Sequence, residues 1–192
     1  EYQLVTAQLD FRGEGTMMFG IGVDADLRDA ANNIVQVGQG GIGLGVRDYY
    51  LNDDDQTKKI REAYKAYMKK LFQMVGNDEA TAQKKMEAVM AIETRIAKAS
   101  YSQVELRNID KNYHKMTYNQ LVTDYPGIDW GNVFLASGFP AFKEICVGQP
   151  EPIHEVEKVL AETSLDDLKT YAEIKVIAGA TSVLSDDFRA VA

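Results

Sequence analysis

The side chains that could carry chemistry in this chain are few, and their spacing argues against most of the chemistry open to them. His114 and His154 are its two histidines. A zinc-binding helix sets two imidazoles one turn apart so that both reach one ion, as in H-E-x-x-H. His154-Glu155 begins that pattern, but position 158 is Lys158, and neither histidine has a partner at the required spacing. Both read as surface or packing residues. Cys146 stands alone between Ile145 and Val147, which leaves no internal disulfide or cysteine metal site and points to a buried thiol. Gly38-x-Gly40-x-x-Gly43 has the spacing of a dinucleotide-binding turn. Such a turn must open a helix whose amides hold the pyrophosphate. Here the chain runs into Val46-Arg47-Asp48-Tyr49-Tyr50 and then a polar stretch, so a structural glycine turn is the better reading and no cofactor is assigned.

The acids divide into two kinds. Asp24, Asp26 and Asp29, like the cluster from Asn52 to Asp55, lack the spaced ligands and closing glutamate of a calcium loop; turn and N-cap chemistry accounts for them. Glu93 is different, because it falls on an apolar helical stripe, where a carboxylate needs a buried partner. Arg47 and Arg107 are the guanidinium groups expected to supply it, in a structural rather than a catalytic pair. Lys58, Lys59, Lys65, Lys69 and Lys70 read as one solvated helix face. No residue is assigned a catalytic, cofactor-binding or metal-binding role.

The elements that must position these groups are mainly helical. The first third reads as extended: Met17, Phe19, Ile21 and Val23 alternate with small residues, and Ile34 to Val37 follow a polar turn, which predicts a small β-hairpin near the N-terminus. Asn52 to Asp55 cap a helix with Ile60, Tyr64, Tyr67, Met68, Leu71, Phe72 and Val75 on one face, stopped by Gly76. Asp78 caps a second, reaching about Ser100, that carries Glu93. Thr117-x-x-Gln120 is a capping box for a short helix ended by Pro126-Gly127, and Asp129 caps another. Lys143 to Val147 suits a short strand, and Pro150 and Pro152 suit the start of a helix. Leu165 to Phe188 carries two apolar stripes, predicting one central helix packed on two sides, with Ala178-Gly179-Ala180 as a point of close backbone approach.

Composition bounds the function. The 192 residues suffice for one domain or two small lobes, with 45% hydrophobic residues and no apolar run long enough for a membrane helix. The net charge of -8 opposes binding to nucleic acid or an anionic membrane. The absence of an Asn-x-Ser/Thr acceptor favours a bacterial source over a glycosylated ectodomain. The chain starts without Met and ends within a predicted helix, so both ends read as cut.

Gly41-Ile42-Gly43-Leu44-Gly45-Val46-Arg47-Asp48-Tyr49-Tyr50-Leu51 resembles the "GLGLPxRDYY" segment of zinc endopeptidases of the neprilysin and endothelin-converting-enzyme family, which includes bacterial oligopeptidases. Ile92-Glu93 with Ile96-Ala97 is similar to that family's "LExxIA" helix end, and Arg107 to Leu121 to its "RxPxxxYNKMTxxxL" segment. Gly45 or thereabouts replaces a family proline, Ile109 another, and His114 an asparagine. The resemblance implies the non-catalytic N-terminal region of such an enzyme. It implies oligopeptide substrates and zinc for the parent only, whose ligands have no matching position here. Gly41, Gly43, Arg47, Asp48, Tyr49, Tyr50, Glu93 and Arg107 are then structural. The implied architecture is a scaffold part over 1–110 and the start of a helical cap over 111–192, with a boundary near 107–114. The implied partner is the catalytic domain of the same polypeptide, and a periplasmic or extracellular location is favoured over the cytoplasm. Apolar faces left bare, on Met17 to Val23 or on Leu165 to Phe188, are expected to be covered by a second copy. From composition and periodicity alone, a free-standing helical interaction module is the competing reading.

Overall fold

The computed structural model describes residues 1–191. The fold is mainly helical around a small sheet, as the periodicity predicts, but it opens on a helix rather than extended chain: α1 spans Tyr2–Phe11. Nothing caps its N-terminus, and its helicity rests on packing, with Thr6 and Ala7 buried against α6 (Trp130–Ala136). The Thr6 hydroxyl donates back to the carbonyl of Tyr2 at 3.1 Å, so the helix itself satisfies the one buried polar group on that face.

The predicted hairpin is present as β1 (Phe19–Asp26) and β2 (Asp29–Gln39), paired antiparallel with Ile21 opposite Val37 and Val23 opposite Val35. It is half of a larger sheet, ordered β1-β2-β4-β3, in which β4 (Glu144–Val147) lies parallel to β2 and β3 (His114–Thr117) antiparallel to β4. Strand β4 is the predicted Lys143 to Val147 segment. Strand β3 is too short to show an alternation of its own, and only β4 beside it makes it a strand.

The capping predictions hold locally. Asp54 accepts from the Thr57 amide at 2.9 Å and opens α3 (Asp55–Met74), which stops before Gly76 at φ +97°. Asp78 accepts from Thr81 at 2.7 Å and opens α4 (Glu79–Ala99). Thr117 and Gln120 form the reciprocal capping box of α5 (Tyr118–Asp124), and Asp129 caps α6. Pro150 begins α7 (Pro150–Glu162). A four-residue helix, α2 (Asp48–Leu51), carries the two tyrosines of the Arg47 to Leu51 run.

The last helix differs from its prediction. Ser164 caps α8 (Leu165–Ala180), but the chain then tightens into a 3-10 turn over Thr181–Val183 and resumes as α9 (Asp186–Arg189). The predicted neighbour at Gly179 is missing: a β-carbon built there would meet nothing within 4 Å. An unpacked glycine costs a helix about 1 kcal/mol relative to alanine, and Thr181 turns its hydroxyl back to the Ala178 carbonyl. The double stripe is also unevenly used, since Leu168, Tyr171 and Ile174 are buried while Val183 is 81% exposed.

One apolar core joins both sides of the sheet. It includes Val37, Phe72, Ile96, Trp130, Ile145 and Tyr171, and Trp130 satisfies its indole N–H on the Tyr125 carbonyl at 3.0 Å. No helix is long and apolar enough to cross a membrane among the described residues.

Candidate functional site

Glu93 is fully buried on α4, and four elements converge on its carboxylate. Oε1 accepts from Lys175 Nζ of α8 at 2.5 Å, from Tyr64 Oη of α3 at 3.2 Å, and from the Gly43 amide at 3.2 Å. Oε2 accepts from Tyr50 Oη of α2 at 2.6 Å. Tyr50 Oη in turn accepts the Leu44 amide at 3.0 Å. A buried carboxylate is tolerable only when a charge partner and hydrogen bonds replace its water shell, and here both do. Burial, reinforced by the Glu93 charge, pushes the phenols of Tyr50 and Tyr64 well above their usual range, so both remain neutral donors. Tyr171, buried beside them, is shifted the same way and donates to the Gly41 carbonyl at 2.6 Å.

The glycine turn is shaped to admit this cluster. At Gly43 a β-carbon would stand 1.9 Å from Tyr64 Oη, so a side chain there would expel the tyrosine. Gly41 has φ +81°, and a β-carbon would lie 2.7 Å from Met18 Cα. The dinucleotide-like spacing of Gly38, Gly40 and Gly43 thus serves close packing, and no helix opens at Gly43 to hold a pyrophosphate.

The partner expected for Glu93 is corrected from an arginine to Lys175. Arg47 turns away, donating to the Ser100 carbonyl at 2.6 Å at the end of α4 and standing 4.0 Å from Glu105. Arg107 lies exposed on a 3-10 turn over Glu105–Arg107, with no ion pair among the described residues. Asp48 is exposed in the first turn of α2, where a negative charge complements the helix dipole. Arg61 clamps that short helix from α3, donating to the carbonyls of Tyr49 at 3.2 Å and Tyr50 at 2.7 Å. Sequence reading had a usable signal for Lys175, a lone cation between Ile174 and Val176 on a doubly apolar helix, the counterpart of the acid on the apolar stripe of α4. Arg61 offered none, because the carbonyls it holds belong to another element.

A cleft of about 530 Å3 opens beside this cluster, between β1, α3 and α8. Met17, Phe19, Tyr64, Tyr67, Ile174 and Lys175 form its walls.

A further polar cluster lies at the hairpin tip. Asp26, grouped in the sequence with turn acids, is buried and accepts from the Arg28 amide at 2.9 Å, Tyr113 Oη at 2.8 Å and Lys115 Nζ at 3.3 Å. The Arg28 amide first, then Tyr113 and Lys115, hold its carboxyl below the usual range. This ties the hairpin to β3.

The residues present do not build a metal site. Among the described residues no three histidine, cysteine or acidic side chains converge as ligands. His114 Nδ1 pairs with the Val147 carbonyl at 2.9 Å within the sheet, and His154 stacks on Tyr125 with ring centroids 4.5 Å apart. Cys146 is buried, and burial raises its thiol pKa.

The site thus consists of a buried ion pair and a glycine turn moulded around tyrosines, set in a helical array on a small mixed sheet. The chain belongs to peptidase family M13, whose N-terminal model matches residues 1–192. It is 30% identical over 176 residues to rat endothelin-converting enzyme 1, covering 89% of this chain and 23% of that protein. With the endothelin-converting enzyme homolog of Locusta migratoria it shares 29% identity over 97% of this chain and 27% of the relative. Its fold superposes with a TM-score of 0.92 and 28% identity on Mycobacterium tuberculosis zinc metalloprotease ZMP1 in complex with inhibitor, over 98% of this chain and 29% of that one. The chain therefore spans about a quarter of the length of the relatives it matches, and it corresponds to the N-terminal, non-catalytic region of neprilysin-like enzymes.

Proposed function

We propose that this chain serves a parent zinc metalloendopeptidase as the helical region that walls the active-site chamber and limits substrate size, its catalytic domain lying in the same polypeptide and supplying the zinc. The observation that carries this reading is the near-complete superposition of the chain on part of a zinc metalloprotease, together with a polar centre, Glu93 and Lys175, that is wholly committed to holding four elements together. Such a region contributes shape, and its substrates are oligopeptides small enough to enter. The test is a peptidase assay of the parent with peptides of graded length, against the same enzyme carrying Glu93→Gln. Loss of the length cut-off with retained cleavage of short peptides is expected, and an unchanged cut-off in a variant with a loosened α8 overturns the reading.

Residues 1–110 and 111–192 are assigned to scaffold and cap start respectively, and they move as one body. Support comes from the parallel pairing of β2 with β4, which spans the 107–114 segment, and from the bond that Tyr113, within that segment, makes to Asp26. For the parent, a periplasmic or extracellular location is favoured over the cytoplasm. Self-association is assigned to the segment that follows α8, where Val183 and Leu184 are exposed; light scattering on the isolated chain checks it, with a strict monomer at high concentration as the contrary result.

A further inference from the structure

Cys146 is buried where strand parity would turn it outward. Ile145 and Val147, its neighbours on β4, point into the core, so the Cys146 side chain takes the opposite face of the sheet. Its register partners on that face are Gln36 of β2 and Lys115 of β3. Neither of these is buried, yet Cys146 is only 3% exposed, with the Asn112 carbonyl 4.0 Å from its sulfur.

The end of the β1–β2 hairpin supplies the rest of its cover. Asp26 accepts from Tyr113 Oη at 2.8 Å and from Lys115 Nζ at 3.3 Å, although β2 and β4 stand between β1 and β3 in the sheet. A flat hairpin would hold β1 about 14 Å from β3, three strand spacings away. The Gln36 side-chain amide, rising from the Cys146 face, donates to the Ala25 carbonyl at 3.3 Å, so the hairpin end coils over that face. A register shift between Ala25 and Asp26 supplies the bend. Further out, Arg28 lies 4.9 Å over the Tyr113 ring and pairs with Asp110 at 2.5 Å. Residues 27–33 are all exposed, so lifting this end would bare almost no apolar surface of its own. The base of the hairpin is different, since Phe19, Val35 and Val37 are fixed in the core. A segment held by polar contacts beyond a bend, on a base held by apolar ones, has the makings of a unit that opens locally.

We propose that the hairpin end from Ala25 to Asn33 is a lid over Cys146, latched by Asp26 on Tyr113 and Lys115, that opens about the bulge while β2 stays paired with β4. Lys115 remains on β3 when the lid lifts, still paired with Glu144 at 3.1 Å. The thiol pKa is raised by burial first and also by Asp26, whereas Lys115 lowers it. Opening takes away both raising influences and leaves the lowering one. The motion that uncovers the sulfur therefore also makes it the better nucleophile, and an electrophile reaches Cys146 through this lid without unfolding the domain.

Cys146 is the one cysteine of the chain, so its rate of alkylation by iodoacetamide at fixed pH reads the lid directly. Below the unfolding transition this rate is expected to be nearly independent of urea, because local opening exposes little surface. Asp26→Ala and Tyr113→Phe are each expected to raise it at least about tenfold, since each takes a charge-assisted hydrogen bond from the latch. Tyr113→Phe removes a single hydroxyl and keeps the test open should Asp26→Ala fail to fold. Val159→Ala, a cavity in the core away from the hairpin, is expected to lower the urea midpoint and leave the labelling rate unchanged. A native rate that climbs with urea as steeply as global unfolding would show that the thiol is reached only through the unfolded chain. That result, latch variants that label at the parent rate, or equal acceleration by Val159→Ala each overturns the proposal.

Discussion

Lys175 on α8 places its ammonium 2.5 Å from the carboxylate of Glu93 on α4, a pair separated by 82 residues and buried where α2, α3 and the glycine turn also meet. Breaking one half of such a pair strands the other half out of water. We expect Glu93→Ala and Lys175→Met each to cost about 3–5 kcal/mol in urea unfolding, while the double replacement Glu93→Leu/Lys175→Met costs less than the sum of the two singles. Strict additivity would show that the two side chains are not coupled.

Gly43→Ala is expected to be worse tolerated than Gly45→Ala. Gly45 has φ +72° but open space around it, so alanine there costs only the backbone penalty of roughly 1–2 kcal/mol. At Gly43 the new methyl would occupy the Tyr64 hydroxyl and with it a donor to Glu93. Melting curves of the two variants rank them, and equal melting temperatures would falsify the role given to this approach.

Stability should fall in acid. Hydrogen bonding from Lys111, followed by the amide and hydroxyl of Ser102, depresses the Glu105 carboxyl to about 2 from its ordinary 4.5. Asp54 and Asp78 are lowered by the threonines they cap, Thr57 and Thr81, and Asp26 by the Arg28 amide. A depressed folded-state pKa contributes stability above the unfolded value and loses it as pH falls through the folded value. The unfolding free energy should therefore be flat above about pH 5 and decline between the ordinary glutamate value of 4.5 and about 2. Glu105→Gln should make the decline shallower, and a slope unchanged in that variant assigns the acid sensitivity elsewhere.

The isolated chain should hold no stoichiometric zinc after chelation and reconstitution, because three converging protein ligands are needed and the described residues provide none. Elemental analysis of the dialysed protein decides it. One tightly bound zinc per chain would require ligands that the fold keeps apart.

Much of the fold was legible in local patterns. The caps at Asp54, Asp78, Thr117 and Asp129 and the stop at Gly76 are written in a few adjacent residues, since an N-cap or a left-handed glycine is satisfied by its own neighbours. The hairpin followed from alternation, and the family from the Gly41 to Leu51 run. Glu93 could be marked as needing a partner, because an acid on an apolar stripe is costly wherever the stripe packs. Lys175, flanked by Ile174 and Val176, stood out as a cation on an apolar helix, but that it is the one to answer Glu93 is decided by the packing of α8 on α4. The same holds for helix α1, which lacks a side-chain cap and is held by α6, and for β3, whose four residues become a strand only beside β4. The break after Ala180 was hidden for the converse reason: the sequence carries the pattern of a continuous helix, and only the empty space beside Gly179 removes the packing that would have sustained it. Short-range hydrogen bonds and turn geometry are properties of neighbouring residues, whereas the burial of a charge and the partner it finds are set by which surfaces meet, and that the tertiary structure alone decides.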